Sequence, residues 1–337
     1  MLAQAADSVE EAIETHCGET AFEYKYDGAR VQIHKLDNEA RIFSRRLTDV
    51  TASVPEIVED IRKNVRSQEA ILEGEVIAVD KTGHPIPFQH LMRRFKRIHE
   101  IQDKTQEIPL RLYLFDIIFL DGESQISKAY ATRRRILAEN AGEIPLTKQI
   151  ITNRKEVAEK FLKEAISEGH EGLMAKKLDS RYTPGIRGKS WLKIKTVLEP
   201  LDLIITAAEY GYGRRHGWLS DYHLAAKEPV TGQFLEVGKT FKGLTDEEII
   251  ALTEKLKQLA VKQEHGCVTV LPQVVVEVAY NEIQKSPKYK SEMALRFARI
   301  TRIRNDKTAA EADTIQKVRK IYERQFANKG RYKADTH

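Results

Sequence analysis

Two periods of hydrophobicity run through the first two hundred residues or so, and each predicts its own elements. The helical spacing over 9–15 predicts a short acidic amphipathic helix. Phe22 and Tyr24 then alternate with Glu23 and Lys25, and Val31 and Ile33 with Gln32 and His34. Two strands are therefore expected on either side of the Asp27-Gly28 turn signal. A third strand is expected over 40–44, and Pro55 suits the first turn of a helix over 55–65. Residues 71–79 form an apolar strand interrupted by Glu73 and Glu75. If Leu72, Gly74 and Val76 share one face, the two acids share the other. Buried strands rarely carry acids without a partner, so this face is either a half-exposed edge or one on which Glu75 points into a pocket. A basic helix over 89–99, an aromatic-rich strand over 111–119 closed by Asp121-Gly122, and helices over 131–139 and 155–167 follow. The half closes with strands over 171–176 and 190–195. In the last of these Leu192 and Ile194 alternate with Lys193 and Lys195, which places both lysines on one face. Like charges so placed repel unless they are solvated or face an anion.

The pattern changes after Leu198-Glu199-Pro200. Beyond it come short strands over 201–210, 222–227, 233–240, 273–280 and 295–304. One helix over 246–260 lies among them, with Thr245 as N-cap and Glu248 at the capping-box position. Five short strands with one inserted helix suit a small Greek-key barrel of the OB type, a common nucleic-acid platform. A basic helix is predicted over 314–326. The domains expected are thus 1–199, 200–310 and a C-terminal helix and tail over 311–337.

Composition narrows the function classes. A chain of 337 residues can bury two cores. No run of about eighteen apolar residues appears, so no membrane span is expected, and the acidic N-terminus is neither a signal nor a transit peptide. Cys17 and Cys267 are the two cysteines. They cannot build a disulfide framework or a four-cysteine zinc site, and they fit a reducing compartment. The net charge of +5 is a mild excess. Basic clusters stand at 93–97, 133–135, 214–215 and 296–307, and each alone reads as a solvated face.

The candidate chemistry centres on Lys25. A lysine amine attacks phosphorus or carbonyl carbon only when neutral, and its ordinary pKa is about 10.4. Burial or nearby cations are expected to depress it. Asp27, Gly28 and Arg30 share its turn, but K-x-D-G alone carries little information.

The separate signals gain meaning in order. K-Y-D-G-A-R at 25–30, S-R-R at 44–46, E-G-E at 73–75 and Y-L-F-D-I-I-F-L-D-G at 113–122 follow one another. E-G-L-M-A-K at 171–176, W-L-K-I-K at 191–195 and R-I-T-R-I-R-N-D-K at 299–307 complete the series. Across roughly residues 20 to 310 the chain resembles the covalent nucleotidyltransferase superfamily. Within it, the likeness is to ATP-dependent DNA ligases of the archaeal and eukaryotic replicative type.

That resemblance implies an α+β nucleotidyltransferase domain, ATP-grasp-like, followed by an all-β OB-fold barrel. It implies that Lys25 attacks the α-phosphate of ATP and carries AMP, which passes to the 5′-phosphate of a nick before the 3′-hydroxyl displaces it. Arg30 and Arg45 would contact the sugar or the nick phosphate. Glu75 would hold the ribose or a metal, Phe115 would stack on adenine, and nucleotide contacts would begin at Glu23. Glu171, with Glu75, would ligate Mg²⁺ or Mn²⁺, while Lys193, Lys195 and Arg187 would neutralise phosphate. Arg302, Arg304, Asp306 and Lys307 would orient the pyrophosphate after a swing about a hinge near 198–202. The implied partner is nicked duplex DNA, with a sliding clamp for a fuller-length form. A cytoplasmic monomer is expected, or a nuclear one in a eukaryote. Replicative members carry a further N-terminal helical domain of about two hundred residues that this chain does not include. Self-adenylation is therefore expected without it, as a fragment or a minimal enzyme. Ala298 stands where the family usually shows proline. The alternatives are an RNA ligase, a capping guanylyltransferase, and a non-catalytic nucleic-acid-binding protein.

Overall fold

A computed structural model of the chain describes residues 1–95, 108–195, 198–325, 327 and 329. The helix expected over 89–99 is Phe88–Phe95, with 96–99 outside the described residues. The chain divides into two compact units, Met1–Thr196 with Asn328–His337 and Val197–Ala327.

The first unit holds two sheets whose strands obey the period of two. One sheet has the order β1 (Leu2–Ala5), β10 (Arg187–Lys195), β9 (Gly172–Lys177), β2 (Thr20–Lys25), β8 (Gln149–Thr152). Its apolar face, with Phe22, Tyr24, Leu173, Leu192 and Ile194, packs on α1 (Val9–His16) and α5 (Lys155–Ser167) through Val9, Ala12, Ala158 and Phe161. The other sheet runs β4 (Glu39–Ser44), β3 (Ala29–Leu36), β5 (Glu69–Ala78), β6 (Leu110–Leu120), β7 (Glu123–Ser124). Its apolar face, with Val31, Ile33, Leu72, Val76, Leu112 and Leu114, packs on α2 (Pro55–Asn64), α3 (Phe88–Phe95) and α4 (Tyr130–Asn140). Burial of the apolar face of each sheet leaves the alternate residues on the other. Those are Glu23, Lys25, Lys193 and Lys195 in the first sheet, and Arg30, Glu73, Glu75 and Phe115 in the second. The polar faces meet: Lys176 Nζ of β9 donates to the Phe115 carbonyl of β6 at 3.2 Å.

Several basic residues that read as solvated are buried. Arg133 and Asp116 are both fully buried and paired at 2.8 Å, and Arg133 also donates to the carbonyls of Lys128 at 2.7 Å and Ser180 at 3.1 Å. Arg94 is 4% exposed and grips Glu56 at 2.5 and 2.7 Å. These arginines bind helices to the body of the unit, so they are not a polyanion footprint.

Gly28 marks the tightest approach between the Lys25 turn and β5. A Cβ there would collide with the Val76 carbonyl oxygen and lie 2.8 Å from Ile77 Cγ2. Gly28→Ala is expected to cost about 1–3 kcal/mol, read as a lower denaturant midpoint. An unchanged midpoint would show that the turn relaxes freely.

In the second unit the long β11 (Leu201–Tyr210) is the spine. One of its edges carries β12 (Leu219–Lys227) and then β13 (Phe234–Thr240). The other carries β16 (Val275–Ala279) along residues 201–204 and β15 (Cys267–Val270) along 207–209. β14 (Ala260–Glu264) extends β15, and β19 (Arg299–Ile303) extends β16. β17 (Glu282–Lys285) and β18 (Met293–Arg296) form a separate hairpin. The helix expected over 246–260 is α6 (Asp246–Gln258). It begins at the capping box read from Thr245 and Glu248 and stops short of 260 because Ala260 opens β14. α7 (Ile315–Gln325) packs Ile315, Val318 and Ile321 into the same core. The unit is a β-barrel of the OB type with appended helices. Among the described residues no helix is long and apolar enough to cross a membrane.

Candidate active site

Lys25 ends β2, and its backbone carbonyl accepts from the Glu171 amide at 3.0 Å. That places the Glu171 carboxylate on the lysine ammonium. The two form an ion pair, and Lys195 Nζ reaches the same carboxylate at 2.8 Å. Gly172 makes the approach possible. It holds φ +143°, and a Cβ there would strike the Ile194 carbonyl and lie 3.1 Å from Lys195 Cα. A side chain would push β10, and with it Lys193 and Lys195, away from Glu171.

The electrostatics run against one expectation. Burial opposes the Lys25 charge, but Glu171, and then Glu75 and Asp27, outweigh it and hold the amine above its ordinary value. In this state Lys25 is a protonated ammonium, not a depressed nucleophile. Glu171 is held down to about 2 by Lys25 and then Lys195, against its burial. Burial raises Glu75 to about 7 against the pull of Lys25 and Arg30, with Glu171 and Asp27 adding to the rise. Lys193 is lowered by burial and then by Lys195, Lys25 and Arg187. The two lysines of the β10 face therefore differ: Lys195 has its anion, while Lys193 has no carboxylate at ion-pair distance among the described residues. Asp27 pairs with Lys329, which belongs to the same unit.

Arg30 opens β3 and donates to both Glu73 carboxylate oxygens at 2.7 Å, to the Met1 carbonyl at 2.6 Å and to the Tyr182 hydroxyl at 3.2 Å. Its guanidinium lies 5.5 Å from the centre of the Phe115 ring. Phe115 is buried, and Lys176 Nζ sits 4.8 Å from its ring centre. Glu23 is taken up entirely within the unit. It pairs with Lys176 at 2.7 Å and accepts from Thr147 Oγ1 at 2.8 Å, Gln149 Nε2 at 2.9 Å and the Tyr130 hydroxyl.

The structure thus brings Lys25, Glu75, Glu171, Lys193 and Lys195 into one electrostatic cluster, with Arg30 and Phe115 on the facing sheet. Arg45 and Arg187 are exposed, in the turn after β4 and at the start of β10. Arg302, Arg304, Asp306 and Lys307 lie in the second unit. There Arg304 grips Asp202 at 3.0 Å and Asp306 at 2.6 Å, and Lys307 reaches Asp202 at 2.5 Å. Glu73, the counterion of Arg30, and Lys176, the counterion of Glu23, carried no role in the sequence reading. Glu73 stands in E-G-E, where an acid within an apolar strand signals a partner, and Lys176 in E-G-L-M-A-K, which is its only signal.

The chain is similar in sequence and fold to known proteins. Residues 1–195 match the family described as ATP dependent DNA ligase domain, and residues 215–307 match ATP dependent DNA ligase C terminal region. DNA ligase 1 of Korarchaeum cryptofilum is 55% identical over 328 residues, covering 97% of this chain and 60% of the relative. The DNA ligase of Thermococcus onnurineus is 49% identical, covering 96% and 58%. This chain therefore spans about six-tenths of the length of these curated relatives. A solved structure named "Pmar-Lig_Pre." shares the fold with a TM-score of 0.68 at 22% identity, covering 90% of this chain and 67% of that one. With the family match spanning most of the first unit and much of the second, the chain belongs to the ATP-dependent DNA ligase family.

Proposed function

We propose that this chain performs the chemistry of an ATP-dependent DNA ligase, forming a lysyl-AMP at Lys25 and passing the AMP to a 5′-phosphate in nicked duplex DNA. The observation that carries the reading is the shared carboxylate. Glu171 holds the ammonium groups of Lys25 and Lys195 together, with the uncompensated Lys193 beside them. A triphosphate placed here would meet three lysines, and Lys193 would gain the anion it lacks.

Lys25 must first lose a proton, and Glu171 is what now keeps that proton in place. Breaking the Lys25–Glu171 ion pair removes the charge that holds the proton, and the ammonium, left beside Lys193 and Lys195, releases it to water and becomes the free amine nucleophile. The N–P bond then forms as the P–O bond to pyrophosphate breaks, with attacker and leaving group in line. Lys193 and Lys195 stabilise charge on the α-phosphate, and Arg187 reaches the outer phosphates. Phe115 offers its ring to the adenine once Arg30 shifts from it. Glu75, part protonated near neutral pH, can donate to or accept from the ribose hydroxyls. Glu171 and Glu75 are the oxygen donors that would hold Mg²⁺ or Mn²⁺, which when bound supplies positive charge to phosphate oxygens and competes with the Lys25 ammonium for Glu171. For Arg302, Arg304, Asp306 and Lys307 the role proposed is contact with the departing pyrophosphate, and for Arg45 contact with the nick phosphate.

The test follows label from α-labelled ATP in the presence of Mg²⁺. The expected sequence is label on the protein, then on the 5′ end of a nicked duplex, then release as AMP with sealing. Protein that takes no label from ATP overturns the reading, and label taken instead from GTP favours a capping activity. Lys193→Ala is expected to slow the single-turnover rate of protein labelling about 10²–10³-fold, the usual loss for one preorganised charge stabiliser. A rate within threefold of the parent would remove Lys193 from the phosphate site.

A further inference from the structure

A second cluster lies on one face of the barrel in unit 2, formed by the register of four strands. Glu209 of β11 sits opposite Asp221 of β12 and Cys267 of β15, and His223 of β12 sits opposite Lys239 of β13. Glu209, His223 and Cys267 each present a ligand atom within 4.8 Å of the others. The imidazole is fixed at both nitrogens: Nε2 is 3.0 Å from Glu209 Oε1, and Nδ1 is 3.1 Å from Glu236 Oε1.

We infer that Glu209, His223 and Cys267 form a binding site for a thiophilic divalent cation of the zinc class. The donor set is one thiolate, one imidazole and one carboxylate, with a position left for water, which is a set zinc takes in tetrahedral geometry. Glu236 on Nδ1 supplies the outer carboxylate that such histidines normally carry, and it directs Nε2 toward the metal. The thiolate separates this site from the oxygen-only carboxylates of the first unit, which suit magnesium.

The charges favour the cation. Glu209, Glu236 and Asp221 bring three negative charges against the ammonium groups of Lys239 and, near Glu236, Lys288, so a divalent ion neutralises the excess. Lys239 is the competitor, since its Nζ lies 2.6 Å from Glu209 Oε1. It has somewhere to go. Asp221 Oδ2 is already 3.3 Å from it, and Asp221 Oδ1 is buried with no hydrogen-bond partner among the described residues. Transfer of the ammonium to Asp221 releases Glu209 and satisfies an orphaned oxygen in one movement. The bound ion would tie β11, β12 and β15 together.

The test uses the full chain, stripped with a chelator and titrated with cobalt(II), and does not depend on ligase activity. One equivalent is expected, with a thiolate-to-cobalt charge-transfer band in the near ultraviolet that zinc abolishes. The band should be lost in Cys267→Ser and in His223→Asn, and kept in Cys17→Ser and Lys25→Ala. Circular dichroism confirms that each variant is folded. Should His223→Asn fail to fold, the nearly isosteric Cys267→Ser decides. Absence of the band, or its survival in Cys267→Ser, overturns the inference.

Discussion

Lys25→Ala is expected to lose all transfer of label from α-labelled ATP to protein, down to the level of a no-enzyme control. A covalent intermediate cannot form without its nucleophile. The neighbouring amines do not substitute: Lys195 is held by Glu171, and Lys193 stands two residues away along β10, opposite Met174. Lys25→Arg should be equally inactive, since a guanidinium stays charged and cannot attack. The variants should unfold at close to the parent's denaturant midpoint, because Glu171 keeps Lys195 as a counterion when Lys25 is replaced. Labelled protein from folded Lys25→Ala would show that another residue carries the AMP, and the geometry described here would then need a different nucleophile.

The largest expected effect on stability lies elsewhere. Arg133→Ala should cost about 3–5 kcal/mol. It strands the fully buried Asp116 carboxylate without its guanidinium and leaves the Lys128 carbonyl without its donor, while the Ser180 carbonyl keeps only the Tyr130 amide. Against a typical domain stability of about 5–15 kcal/mol, that brings the first unit close to unfolding. The unfolding transition of the first unit in urea is the measurement. Replacing both partners with apolar residues, Asp116→Leu with Arg133→Met, should be much milder, because no buried charge is left alone. A single Arg133→Ala that shifts the transition by less than about 1 kcal/mol would mean that water reaches Asp116 readily.

These two residues also show what the sequence could and could not reveal. Lys25 was legible because strand alternation put Lys25, Lys193 and Lys195 on predictable faces, and because the motifs ran in a familiar order. Period-two patterning is a local signal, and the residues on the polar faces follow from it. Arg133 was not legible. Three consecutive arginines on a helix look solvated, and only the packing of α4 on β6 shows that the first of them meets Asp116. The counterions of Arg30 and Glu23 were hidden for a related reason, since pairing between neighbouring strands far apart in sequence has no local trace. β1 and β8 were missed as four-residue strands. β1 gains its definition from parallel pairing with β10, with a break in register between Ala3 and Gln4. In the second unit β14 is not legible because it is wholly exposed, with no apolar face to read, and β15 because its alternation runs for only four residues. The protonation of Lys25 was not legible, because burial and nearby cations both lower an amine's pKa and the opposing anion is remote in sequence. Glu171 lies well over a hundred residues away, and its countercharge decides the sign.

The most direct measurement of the central claim is a peptide map of the unaltered protein after brief incubation with ATP and Mg²⁺. The expected result is a single acid-labile adduct with the mass of an AMP moiety, on the peptide containing Lys25 and at its Nζ. An adduct on any other residue, or an unmodified Lys25 peptide in protein that seals nicks, would contradict it.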